Sequence, residues 1–176
     1  MTHLYAAHGN GVHPGTPGRL TDYFRKPGEL GWGFRRGVPG RDFLGREAPA
    51  ADATSGAATR ESVGLLWNKH DVTGILTSLL DDEVAPEQME PPRRRGLGFD
   101  QVLLSGSQVG VSTGRTLSPC LRATISLCVI DPAYAAPGTE VTVLRGRPGT
   151  SQREIRATVA ALPLKPDHRR SDVSNL

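Results

Sequence analysis

Three histidines, His3, His8 and His13, recur every five residues near the start of the chain, and histidines with further ligands at suitable spacing could hold a zinc ion. A period of five aligns on neither helix nor strand, and no carboxylate or cysteine completes the set, so the stretch reads as a leader. The run GWGFRRG at Gly31–Gly37 has the glycines of a phosphate cradle but the wrong spacing and no preceding strand. Ser118 stands in SPC rather than in a GxSxG turn, and His70 and His168 have no orienting acid in sequence, which argues against a serine hydrolase. Cys120 and Cys128 lie eight positions apart without a CxxC, a spacing that points to neither a disulfide framework nor a zinc site. Arg93–Arg95 could meet a phosphate. They sit, however, in DDEVAPEQMEPPRRRG, whose three prolines and charge run mark a solvated surface loop. No metal site and no catalytic residue is assigned.

Any chemistry must therefore be positioned by elements that the rest of the chain supplies. With 176 residues and 37% hydrophobic content, one core of ordinary size is the expectation. No apolar run reaches membrane-spanning length, and MTHLYAAHGNGVHPG lacks a charged region followed by an apolar stretch, so a soluble, cytoplasmic protein is expected. Arginine outnumbers lysine 18 to 3, which reads as coding bias. The net charge of +3 is spread among 18 carboxylates, so neither a nucleic acid nor a membrane is expected as a partner.

Residues 1–49 hold 10 of the 21 glycines, 5 of the 14 prolines and 6 of the 9 aromatic residues, a mixture suited to turns and loop-borne contacts. We divide this part into a flexible leader, 1–19, and an irregular arm, 20–49. Residues 50–61, AADATSGAATRE, lack apolar anchors and read as a linker. A compact domain is expected over 62–164, followed by a polar tail, 165–176.

Within that domain SVGLLW reads as a strand, and Asn68 then stands as an N-cap with Asp71 three residues on. Val72, Ile75, Leu76, Leu79 and Leu80 fall on one helical stripe and are expected to form a core face. Period-two alternation predicts strands at Gln101–Leu104, Gln108–Thr113, Arg122–Asp131, Thr139–Arg145 and Glu154–Ala161. In the third of these, Ile125, Leu127 and Val129 face one way, and Thr124, Ser126, Cys128 and Ile130 the other, with Cys128 a small packed thiol. The expected fold is mainly β: a small barrel with one amphipathic helix. Trp67, Leu76, Leu79, Ile125, Leu127, Val129, Val141 and Val159 are the predicted core.

An ordered succession of motifs goes further. DYFRKPGELGWG (22–33), RDFLGREA (41–48), LLWNKHD (65–71), VGVSTGRTLSP (109–119), ISLCVID (125–131), PGTEVTV (137–143) and EIRATVA (154–160) together resemble the C-terminal part of the folate-dependent aminomethyltransferase family, that of the glycine cleavage T protein. The look is nearest to the branch with tetrahydrofolate-dependent vanillate and syringate O-demethylases. The resemblance covers about residues 20–164. The chain departs from it at Arg35–Gly40, RRGVPG, where the family tends to carry a strand with Lys and Asp, and at Pro49, where Leu is expected.

The resemblance implies a folate-binding α+β first domain that supplies the catalytic groups, followed by a C-terminal barrel. On that basis residues 20–49 correspond to the end of the first domain, and the chain is expected to be a truncated or split member, inactive alone. Its partners would be a separate chain carrying the folate-binding domain and a small one-carbon donor. In the arm, the resemblance implies Glu29 and Trp32 as residues facing the pterin of tetrahydrofolate, the carboxylate accepting ring N–H groups and the indole stacking on the ring. The bland reading makes Trp32 a packing anchor and Glu29 a turn residue, while Arg46 and Glu47 read as a surface pair. The rival function is a non-catalytic, stand-alone barrel for binding or structure.

Overall fold

The computed structural model describes residue 29 and residues 60–81, 84–89, 99–146 and 150–166. Among the described residues, alternating apolar and small or polar side chains build six strands: β1 (Glu61–Trp67), β2 (Phe99–Leu104), β3 (Ser107–Ser118), β4 (Ala123–Ile130), β5 (Glu140–Arg145) and β6 (Arg153–Ala160). One helix, α1 (Lys69–Thr77), follows β1. The strands close into a barrel in the order β1-β4-β3-β2-β5-β6, every pair antiparallel. The mainly-β barrel with one helix is thus the observed architecture. Among the described residues no helix is long and apolar enough to cross a membrane.

Local chemistry explains the joints. Ser105 and Gly106 both have positive φ, 50° and 79°, the combination that a two-residue hairpin turn needs to match strand twist. Asn68 caps α1, its side chain accepting from the backbone N–H groups of His70 and Asp71, and so satisfies donors that a helix start leaves orphaned.

Closure leaves a narrow interior that side chains fill. Leu65, Val102, Ile130, Val143, Ile155 and Val159 are wholly enclosed there. The connection from β4 to β5 covers one end: the Asp131 N–H bonds to the Val109 carbonyl, and Ala135 joins the core. At the other end Pro86 is buried and Met89 packs against the core. The stretch expected as a solvated loop therefore seals the barrel where it is described, while Arg93–Arg95 lie outside the described residues.

Two expectations about the core are corrected. On β4 the barrel interior receives Thr124, Ser126, Cys128 and Ile130, all buried, whereas Leu127 on the opposite face is 50% exposed and Ile125 half-buried. The cause is space: the large Trp67 indole projects inward from the neighbouring strand β1, and its Nε1–H donates to the small Ser126 hydroxyl at 2.9 Å. On α1 only Ile75 is buried, with Val72 packed beside it, while Leu76, Leu79 and Leu80 are exposed. The helical period ends at Thr77, and Ser78–Leu80 form a 3-10 turn that carries the last two leucines off the stripe. Trp67, Val129, Val141 and Val159 are buried as expected.

Two strand glycines differ in what a side chain would meet. A Cβ at Gly110 would stand 2.8 Å from the Val129 carbonyl oxygen, which is backbone, whereas one at Gly64 would meet the movable end of the Leu164 side chain. Gly110→Ala should therefore cost about 1–3 kcal/mol and Gly64→Ala less, while Leu127→Ala should stay within about 0.5 kcal/mol. Urea unfolding of the three variants checks this order, and a Leu127→Ala cost equal to that of Gly110→Ala would contradict the inward and outward assignment.

Candidate functional site

The residue just before β1 and the second residue of β1 make the site that the sequence reading touches. Val63, Leu65 and Trp67 point inward, so alternation turns Ser62 to the outer face, opposite Val129 of β4. Arg60 precedes the strand and reaches Glu29, 31 positions earlier: its Nε donates to Glu29 Oε1 at 3.0 Å and its Nη2 to Oε2 at 3.2 Å. The Ser62 hydroxyl donates to the Glu29 backbone carbonyl. Glu29 is only 3% exposed. A carboxylate so enclosed needs a charged, hydrogen-bonded partner, and the planar guanidinium supplies two parallel bonds. The pairing engages both carboxylate oxygens and so fixes the plane of the carboxylate.

A second polar cluster occupies the barrel end near Trp67. Asp100 on β2 is buried between Arg115 of β3, whose Nη1 lies 2.8 Å from Oδ2, and Arg145 of β5, whose Nη1 lies 3.4 Å from Oδ1. Arg145 also donates to the Gln88 carbonyl at 3.0 Å and pairs with Glu87 at 3.1 Å, tying the 84–89 segment to the barrel. The Arg115 guanidinium stands 5.6 Å over the Trp67 ring, a cation–π distance, and the Ser112 hydroxyl donates to that of Ser126 at 2.8 Å. Burial, the larger effect, pushes the Asp100 carboxyl above the ordinary carboxylate range against the pull of both guanidiniums, and it pushes Arg115 down. Every charge here faces another, which makes the cluster a seal rather than a poised acid.

A third contact joins α1 to β6. Asp71 accepts the Arg156 backbone N–H at 2.9 Å and its Nε and Nη2 at 2.9 and 2.7 Å, and the Asn68 N–H bonds to the Arg156 carbonyl. The hydrogen bond from the Arg156 side chain holds the Asp71 carboxyl below its ordinary range, although partial burial works the other way.

Of the residues read from sequence, Glu29 is held against the start of β1 by Arg60 and Ser62, and Trp32 lies outside the described residues, as do Arg46, Glu47, His3, His8, His13 and His168. His70 is exposed on α1, the Ser118 hydroxyl accepts the Leu121 N–H within a turn, and Cys128 is a packed core thiol. Sequence reasoning missed Arg60, Asp100, Arg115 and Arg145. An Arg or Asp at an inward parity position of a strand was the available signal for the last three. Arg60, in a segment read as linker, offered none.

Residues 88–164 match the family model of the glycine cleavage T-protein C-terminal barrel domain. The chain is 40% identical over 134 residues to the sesamin methylene transferase of Sinomonas sp. (strain No.22), a match spanning 69% of this chain and 29% of that protein. It is 33% identical over 159 residues to the syringate O-demethylase of Sphingobium sp. (strain NBRC 103272 / SYK-6), spanning 84% of this chain and 34% of that protein. The chain thus spans about a third of the length of these curated relatives. The glycine cleavage system aminomethyltransferase T from Bartonella henselae is similar with a TM-score of 0.39 and 19% identity over 64% of this chain and 24% of that one.

Two measurements follow from the polar contacts. Asp100→Ala leaves two largely buried guanidiniums without their shared carboxylate and should cost about 3–5 kcal/mol in urea unfolding; a cost under about 1 kcal/mol would show that the seal is dispensable. Asp71 is depressed in the folded state, so its contribution is present above the unfolded value of about 3.9 and is lost as pH falls through the lower folded value. Stability of the unaltered chain should therefore fall more steeply below about pH 4 than that of Asp71→Asn, as measured by urea midpoints across pH 2 to 6.

Proposed function

We propose that this chain, whose residues 88–164 match the glycine cleavage T-protein C-terminal barrel domain, serves the transfer of a one-carbon group to tetrahydrofolate. The observation that carries the reading is the similarity to two proteins whose names describe moving a methylene group and removing an O-methyl group. Both are one-carbon units. Tetrahydrofolate, when bound, supplies the amine that takes up the one-carbon group.

The chain's own part is binding and orientation. Glu29, a buried carboxylate held by Arg60, has the chemistry to accept N–H donors of a pterin, and Trp32 is proposed to stack on the ring. General acid catalysis needs a proton donor placed at the reacting nitrogen. The two buried acids among the described residues, Glu29 and Asp100, are both engaged by guanidiniums. We therefore place the proton donor and the donor-substrate pocket outside these 176 residues. The filled barrel interior favours a second reading, a stand-alone module without chemistry.

One experiment separates these. The purified chain should bind tetrahydrofolate in a ligand-observed NMR titration, with Glu29→Gln weakening it about tenfold, and should form no methyl- or methylene-folate from an aryl methyl ether or methylenedioxy donor. Transfer above a blank by these 176 residues alone would overturn the placement of catalysis outside them. The absence of folate binding at millimolar concentration would overturn the folate reading and leave the stand-alone module.

A further inference from the structure

We propose that Arg60 and Ser62 are positioning residues that make the first strand of the barrel the support on which Glu29 is aimed at a folate. The inference rests on the reading of Glu29 above, and it assigns to the barrel a defined task in that site.

Among the described residues, Arg60 and Ser62 hold Glu29: both carboxylate oxygens bond to the Arg60 guanidinium and the backbone carbonyl to the Ser62 hydroxyl. Head and main chain are thus fixed together. A glutamate otherwise retains side-chain rotamer freedom that binding would have to freeze, and holding it beforehand removes that cost from the ligand. The support is stiff, because β1 pairs with both β4 and β6 and locks Val63, Leu65 and Trp67 inside the barrel. Sites built on such elements hold their geometry better than sites on loops.

The partner's identity points the same way. Lysine could neutralise the charge from many directions, whereas the guanidinium fork fixes the plane of the carboxylate as well as its place. A buried ion pair roughly breaks even in stability against a well-packed apolar pair. What this pairing contributes above all is orientation.

The test uses the full chain, with tetrahydrofolate as the probe in a ligand-observed NMR titration and the thermal midpoint measured alongside. Arg60→Gln should raise the Kd about tenfold or more, the effect of losing a charge-assisted hydrogen bond, and Arg60→Lys should fall between it and the unaltered chain. Ser62→Ala should raise the Kd by a smaller factor. Glu29→Gln combined with Arg60→Gln should bind no more weakly than Glu29→Gln alone, because one residue acts through the other. A Kd unchanged by Arg60→Gln while Glu29→Gln raises it would overturn the positioning role and leave the folate reading standing, as would losses that simply multiply in the double variant. A purely structural role lowers the thermal midpoint and leaves the Kd of the folded protein alone. If Arg60→Gln does not fold, Arg60→Lys and Ser62→Ala decide: a raised Kd in both supports the proposal, and unaltered values in both overturn it. No binding by the unaltered chain overturns the folate reading and this inference together.

Discussion

Closure of six short strands into one ring is the constraint on which the other features depend, and β1 is where the ring closes. It pairs with β4 along one edge and with β6 along the other, so its inward side chains must fit a volume bounded on all sides. Trp67 takes up much of that volume at one end. The residues facing it are accordingly small: Ser112 and Ser126, hydrogen-bonded to each other, with the indole N–H bonded to Ser126. A large indole inside a narrow barrel thus dictates that β4 turns its polar parity inward.

The same strand organises what lies before and after it. Upstream, Arg60 and Ser62 hold Glu29. Downstream, Asn68 ends the strand, caps the helix and bonds to Arg156, while Asp71 grips Arg156 from the first helical turn. Over twelve residues, 60–71, the chain therefore supplies a side-chain clasp, a closing strand, the interior indole and a helix cap. Because these share one stretch of backbone, a register slip of one residue in β1 would turn Trp67 outward and Ser62 inward, and would lose the plug and the clasp together.

The strands were legible because alternation is local, and the Asn68 cap was readable from its neighbours in sequence. Which face of a strand looks inward was less legible. Ile125, Leu127 and Val129 are more apolar than Thr124, Ser126 and Cys128, and only the presence of Trp67 on the neighbouring strand β1 reverses the choice. The helix failed for a related reason: five apolar residues fit a stripe, but the α-helix ends at Thr77 and only Ile75 is buried. Of the candidate site, Glu29 was reached through resemblance alone, and its partner lies 31 positions away in a segment with no periodicity. Long-range pairing of that kind leaves no local trace.

The charged contacts divide by what they can do. Asp71 and Arg156 meet at the surface, where solvent screening keeps the interaction weak, and their effect is to register helix against strand. Asp100, Arg115 and Arg145 are enclosed, and removing one of them would strand the others, so that cluster is required by the fold once present. Glu29 is also enclosed and its partner Arg60 partly so, but they join the barrel to a residue far upstream rather than one barrel strand to another. A contact of that type adds little to the internal packing of the barrel, whose core is complete without it. Its consequence is to fix where one carboxylate stands relative to a rigid wall.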